Sequence, residues 1–144
     1  MPTLADPSLN QTMTNNQQPT NEHLIFVRGT HWNSSLSPAE LQRVMTDFYS
    51  WVGGLQDRGI LRGAQPLMEE GKLVTGANGS AVTDGVFAES KEAIAGYFLL
   101  AVDSTEEAVK LAQACPILAY GAQIEVRPIA DLCRPMADVK SMQS

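Results

Sequence analysis

Val82-Thr-Asp-Gly-Val-Phe-Ala-Glu-Ser-Lys-Glu-Ala-Ile-Ala-Gly-Tyr-Phe-Leu-Leu-Ala-Val102 sets a compact polar cluster directly before a strongly apolar run. Tyr97 to Val102 has no polar alternation, so it reads as a strand covered on both faces. His23-Leu-Ile-Phe-Val27 has the same character. Two such strands at the centre of one sheet require a layer of helices on one side and a second cover on the other.

Each central strand leads into a helix. After the first, Ser37-Pro38-Ala39-Glu40 combines an N-cap serine, a proline at the first helical position and a glutamate placed for a capping box. Leu41, Val44, Met45, Phe48, Trp51, Val52 and Leu55 then recur at helical spacing until Arg58-Gly59, with Gly53-Gly54 weakening the last turns. Ile60 to Leu67 reads as another main strand, and 73–75 with 81–83 as a hairpin turning at Asn78-Gly79. After Val102, Ser104-Thr-Glu-Glu107 offers a second capping box, and Ala108, Leu111, Ala112 and Cys115 form the helix's apolar face. Pro116 ends that pattern, and Gln123-Ile-Glu-Val-Arg-Pro128 alternates as a last strand. Ile124 and Val126 should face the helices, with Glu125 and Arg127 on the opposite face. The order β-α-β-hairpin-β-α-β is an α+β, ferredoxin-like arrangement.

Composition bounds the rest. The 144 residues, 44% hydrophobic, suit one domain with a sizeable core. Residues 1–21 are rich in Asn, Gln, Thr and Pro and lack a packing face, so a disordered tail is expected there. The domain should occupy 22–130, and a partly ordered tail 131–144. A formal charge of −6 opposes attraction to nucleic acid or anionic membranes. No apolar run is long enough to span a bilayer and no signal-peptide pattern opens the chain, so a cytoplasmic location is expected. Cys115 and Cys133 are too few for a disulfide framework, and no His or Cys spacing marks a metal site. Neither a metal nor a cofactor is expected.

The opening stretch resembles the signature of the YCII-related proteins, and in particular of their DGPF branch. That pattern runs Asp-Gly-Pro-Phe-Ala-Glu-Thr-Lys-Glu, then Gly-Tyr and a hydrophobic strand; here Val86 replaces Pro and Ser90 replaces Thr. The resemblance extends from Glu22 to Gly29 and through Ala114-Cys-Pro116 to Pro128. It implies a dimeric α/β barrel in which two ferredoxin-like sheets pack face to face. A homodimer would also supply the missing cover for the apolar strands.

Asp84 is the leading candidate for chemistry, at a hairpin end beside Gly85, because a partly desolvated carboxylate can act as a general acid or base. The alternative is an ordinary Asp-Gly turn. Glu89 and Lys91 would position Asp84 or form a solvated pair. Tyr97 would hydrogen-bond a ligand or serve as a core aromatic. Arg28 and Arg127 should lie on neighbouring antiparallel strands and could bracket an anion, or Arg127 could simply pair with Glu125 or with a partner subunit. His31, in the loop beside Trp32, is the candidate proton carrier, because some YCII-related proteins use a His and Asp pair. The expected ligand is a small anionic or aromatic molecule.

Two functional classes follow. One is a cofactor-independent acid/base enzyme of isomerase or lyase type. The other is a noncatalytic ligand-binding or regulatory accessory, which the resemblance implies because DGPF-type domains are associated with sigma factors of the extracytoplasmic-function class. No helix-turn-helix or basic stripe supports direct DNA contact.

Overall fold

Ser37 begins the first helix in the way its sequence requires. Its hydroxyl accepts from Glu40 N at 3.2 Å, and Glu40 Oε1 accepts from Ser37 N at 3.0 Å, closing both arms of the capping box. The computed structural model describes residues 16–85 and 93–143. In chain order the elements are β1 (Pro19–Arg28), α1 (Pro38–Asp57), β2 (Leu61–Pro66), β3 (Lys72–Thr75), β4 (Ala81–Asp84), β5 (Ile94–Leu100), α2 (Thr105–Gln113), β6 (Gln123–Ala130) and α3 (Arg134–Gln143). At α2 only one arm forms, with Glu107 N donating to Ser104 Oγ at 3.1 Å.

Four strands make an antiparallel sheet in the order β2-β5-β1-β6, while β3 and β4 pair separately. This is the strand order of a ferredoxin-like α+β fold. His23, Ile25 and Val27 of β1 and Phe98 and Leu100 of β5 are buried on one face. The core there includes Val44 and Leu55 from α1 and Ala108 and Ala112 from α2. Ile124 and Val126 pack on this core, as their alternation predicts. Edge-to-face rings fix the centre, with Phe98 5.4 Å from Trp51 and 6.0 Å from Phe48 between centroids. Trp51 Nε1 then donates to Leu111 O at 3.0 Å, tying α1 to α2.

The other face is different. Leu24 lies opposite Leu99 and Arg127, and Phe26 opposite Tyr97 and Glu125. These side chains fall outside the core cluster, and Leu24, Phe26, Tyr97 and Leu99 stay partly exposed. Both helices that contribute to the core lie on the opposite side of the sheet, so this face is left open by α1 and α2.

The ends of the domain are more structured than composition suggested. Gln18 and Asp131 exchange bonds, Gln18 N to Asp131 Oδ1 and Asp131 N to Gln18 O, both at 2.9 Å. Gln17 Nε2 donates to Leu132 O at 2.8 Å. Beyond them α3 forms around a fully buried Ala137. Among the described residues no helix is long and apolar enough to cross a membrane.

Candidate functional site

A cavity of about 330 Å³ lies between α1 and the sheet. Met45, Phe48, Tyr49 and Val52 of α1 form one wall. Facing them are Val27, Ala64, Gln65, Pro66 and the run Ala95 to Phe98, with Trp32 and Ile117 also in the lining. The cavity has a simple origin: the sheet presents Ala64, Ala95 and Gly96, which have little or no side chain, to large side chains that cannot close the gap from the helix alone.

Gly96 cannot be enlarged to fill it. A Cβ there would stand 2.9 Å from Gln65 O and 3.3 Å from Pro66 Cα, so β2 lies directly against this position. The strand pair is irregular nearby, because the β1–β5 register shifts between Val27 and Arg28. The lining is nearly all hydrocarbon. Among the described residues of the lining the ionisable side chains are Tyr49 and Tyr97, and Tyr97 lies at a strand position whose side chain points to the other face of the sheet, beside Phe26.

The residues expected to carry chemistry are dispersed. Asp84 ends β4 with its side chain 87% exposed, and its Oδ1 accepts from Lys72 Nζ at 2.6 Å across the hairpin base. Among the described residues it does not line the cavity; it forms a cross-strand ion pair in solvent. His31 is exposed in the loop after β1, where its carbonyl accepts from Ser34 N and Oγ, and only its neighbour Trp32 reaches the cavity. Of the expected site residues that are described, Tyr97 alone is in the lining, at a strand position whose side chain points to the other face of the sheet. Glu89 and Lys91, like Val86, lie outside the described residues.

Arg28 and Arg127 do come together on the antiparallel β1–β6 pair, around a carboxylate of the chain itself. Arg28 Nε donates to Glu125 Oε1 at 2.9 Å, and Arg127 Nε lies 3.9 Å from Glu125 Oε2. His23 opens the apolar run of β1. It is 1% exposed, with Nδ1 3.1 Å from Val102 O and Nε2 3.0 Å from Thr105 Oγ1, and so joins β1 to the start of α2. Among the described residues no three His, Cys, Asp or Glu side chains form a group able to hold a metal.

The family model of the YCII-related domain matches residues 32–132, well over half of the chain. The chain belongs to the YCII-related family. No curated protein matches it. In this YCII-related protein the matched span begins after β1, yet β1 is an inner strand that supplies Val27 to the cavity. Two glycines of the stretch that carried the resemblance have packing roles. Gly96 admits β2, and at Gly85 a Cβ would sit 3.1 Å from Gly71 C, where Gly85 N donates to Gly71 O at 2.9 Å. The Asp-Gly pair thus closes the base of the hairpin.

Proposed function

We propose that this YCII-related protein is a homodimeric, noncatalytic binder of a small aromatic or otherwise apolar molecule, held between α1 and the sheet. One observation carries the reading: among the described residues the cavity is walled by apolar side chains, and Tyr49 is the ionisable side chain that α1 brings to it. Its volume falls within the lower part of the range of small-molecule sites, about 300 to 1,000 Å³. Tyr49 can orient a ligand, while Phe48 and Trp32 offer ring faces.

Acid/base catalysis needs a proton carrier within hydrogen-bond reach of the reacting atom. The exposure of Asp84 and His31 weighs for binding over isomerase or lyase chemistry. The homodimer is supported by the open apolar face and by the dimeric α/β barrel that the resemblance implies. A regulatory role beside a sigma factor is compatible with ligand binding.

The test is a thermal-shift and tryptophan-fluorescence screen with indole, naphthol and aryl carboxylates. Binding should be lost in Ala64→Leu and Ala95→Leu, which fill the cavity from the sheet side. A ligand that binds both variants as tightly as the wild type would place the site elsewhere. Turnover of a bound compound that is lost in Asp84→Asn would restore the enzymatic reading.

A further inference from the structure

Strand register gives the cavity a direction. Val27 on β1 pairs with Gly96 on β5, and Gly96 pairs with Pro66 on β2, so three lining residues form one row across the sheet. At the usual spacing of neighbouring strands the row is roughly 10 Å long, close to the length of two fused aromatic rings. Gly96 leaves its middle without a side chain.

Exposure rises along this row. Val27 is 6% exposed and Gly96 is buried, whereas Pro66 is exposed on the edge strand β2. The other buried lining residues are Phe98 on the inner strand β5 and Ile117 in the turn after α2. On α1 the exposed lining residue is Tyr49, at 66%. The cavity is therefore closed over β1 and opens at the sheet edge, between Tyr49 and Pro66. Beyond Pro66 the apolar surface continues outward through Leu67 and Met68, 47% and 76% exposed, with Leu67 N held on Ala95 O at 2.8 Å.

The two ends differ in what they can satisfy. Val27, Phe98 and Ile117 offer only hydrocarbon side chains, so a polar group pushed among them would give up its bonds to water without replacement. Trp32, which can donate, is partly exposed rather than buried with them. At the mouth the Tyr49 hydroxyl and solvent are both available.

We infer that the cavity takes a monopolar ligand of one or two rings, lying across the strands with its apolar end against Val27 and its single polar group emerging between Tyr49 and Pro66. This rests on the reading of the cavity as a binding site and adds the class and orientation of what it binds.

The test is isothermal titration calorimetry of the full chain with 2-naphthol, 2,6-dihydroxynaphthalene, 2-(2-hydroxyethoxy)naphthalene and 6-propyl-2-naphthol. 2-Naphthol should bind, and a second hydroxyl at the opposite end should weaken binding about tenfold or more. A chain on the oxygen should be tolerated, because it leaves through the mouth along Leu67 and Met68. A propyl group at position 6 meets the closed end and should weaken binding at least as much as the second hydroxyl does. Val27→Phe fills that end and should weaken 2-naphthol about tenfold or more. Its melting curve is recorded first, and if it does not fold the wild-type ligand series decides alone. If 2-naphthol binds wild type and is lost in Ala64→Leu, but the diol and the 6-propyl compound bind as tightly, the orientation is overturned and the cavity reading stands. If none of the four binds, or if 2-naphthol is indifferent to Ala64→Leu, both are overturned.

Discussion

Arg28 and Glu125 hold the open sheet face together across the β1–β6 ladder. Glu125 stands opposite Phe26, so Arg28 reaches it diagonally from two residues along, and both its Nε and Nη2 donate to Oε1. With Arg127 on the other carboxylate oxygen, the chain places its own anion between the two arginines expected to bracket a ligand.

Replacing that anion should therefore expose an anion seat. Glu125→Gln is expected to lower stability by about 1 kcal/mol, since the pair is charge-assisted but only partly shielded. Sulfate stabilises proteins generally, so the informative quantity is the difference between variant and wild type. The melting temperature of Glu125→Gln should rise more with sulfate than that of the wild type. Equal responses would show that the arginines do not form a seat.

His23 provides a second expected outcome. A carbonyl only accepts, so Nδ1 donates to Val102 O while Nε2 meets the Thr105 hydroxyl. His23→Leu leaves both partners unmatched in a buried site and should cost about 1 to 3 kcal/mol in urea unfolding. Asn can replace one bond at most and should fall between. A loss below about 0.5 kcal/mol would mean that water replaces the ring.

What was legible in the sequence was whatever local chemistry decides. Ser37-Pro38-Ala39-Glu40 marked the start of α1, and the alternation of Gln123 to Pro128 assigned Ile124 and Val126 to the core face. The site was not legible in this way. Its cavity depends on which residues lack side chains opposite α1, and only the strand register brings Ala64, Ala95 and Gly96 to face Met45 and Phe48. Asp84 looked poised because charged residues and a glycine adjoin it, but its exposure depends on the direction of the hairpin, which local sequence does not specify. His23 finds partners 79 and 82 residues away. The helix at 134–143 was missed because it buries little beyond Ala137.

The capping box carries a pH dependence. Bonds from the Ser37 backbone and hydroxyl hold the Glu40 carboxyl below its ordinary value. A lowered folded-state value contributes stability above the unfolded value, and that contribution is lost as pH falls through the folded one. Glu40→Gln should therefore melt slightly below wild type near neutral pH, and the gap should close on acidification. A gap independent of pH would assign the effect to packing rather than to the charge.

The two thiols should separate cleanly. Cys115 is buried after α2, and burial pushes its thiol up despite an opposing backbone bond from Ile117, whereas Cys133 is exposed. A raised value favours the neutral thiol, so this contribution to stability is present below the unfolded thiol's value and is lost as pH rises through the folded one. The thiolate is the reacting species, and burial also denies access to it. A maleimide or aromatic disulfide should label Cys133 rapidly in the native protein and Cys115 only on unfolding. Cys133→Ser should abolish the fast phase without changing the melting temperature. Cys115→Ser, which places a hydroxyl among apolar neighbours, should cost about 1 to 3 kcal/mol. Fast labelling of Cys115 in native Cys133→Ser, at a rate that follows pH as a free thiol does, would show that the segment after α2 opens without global unfolding.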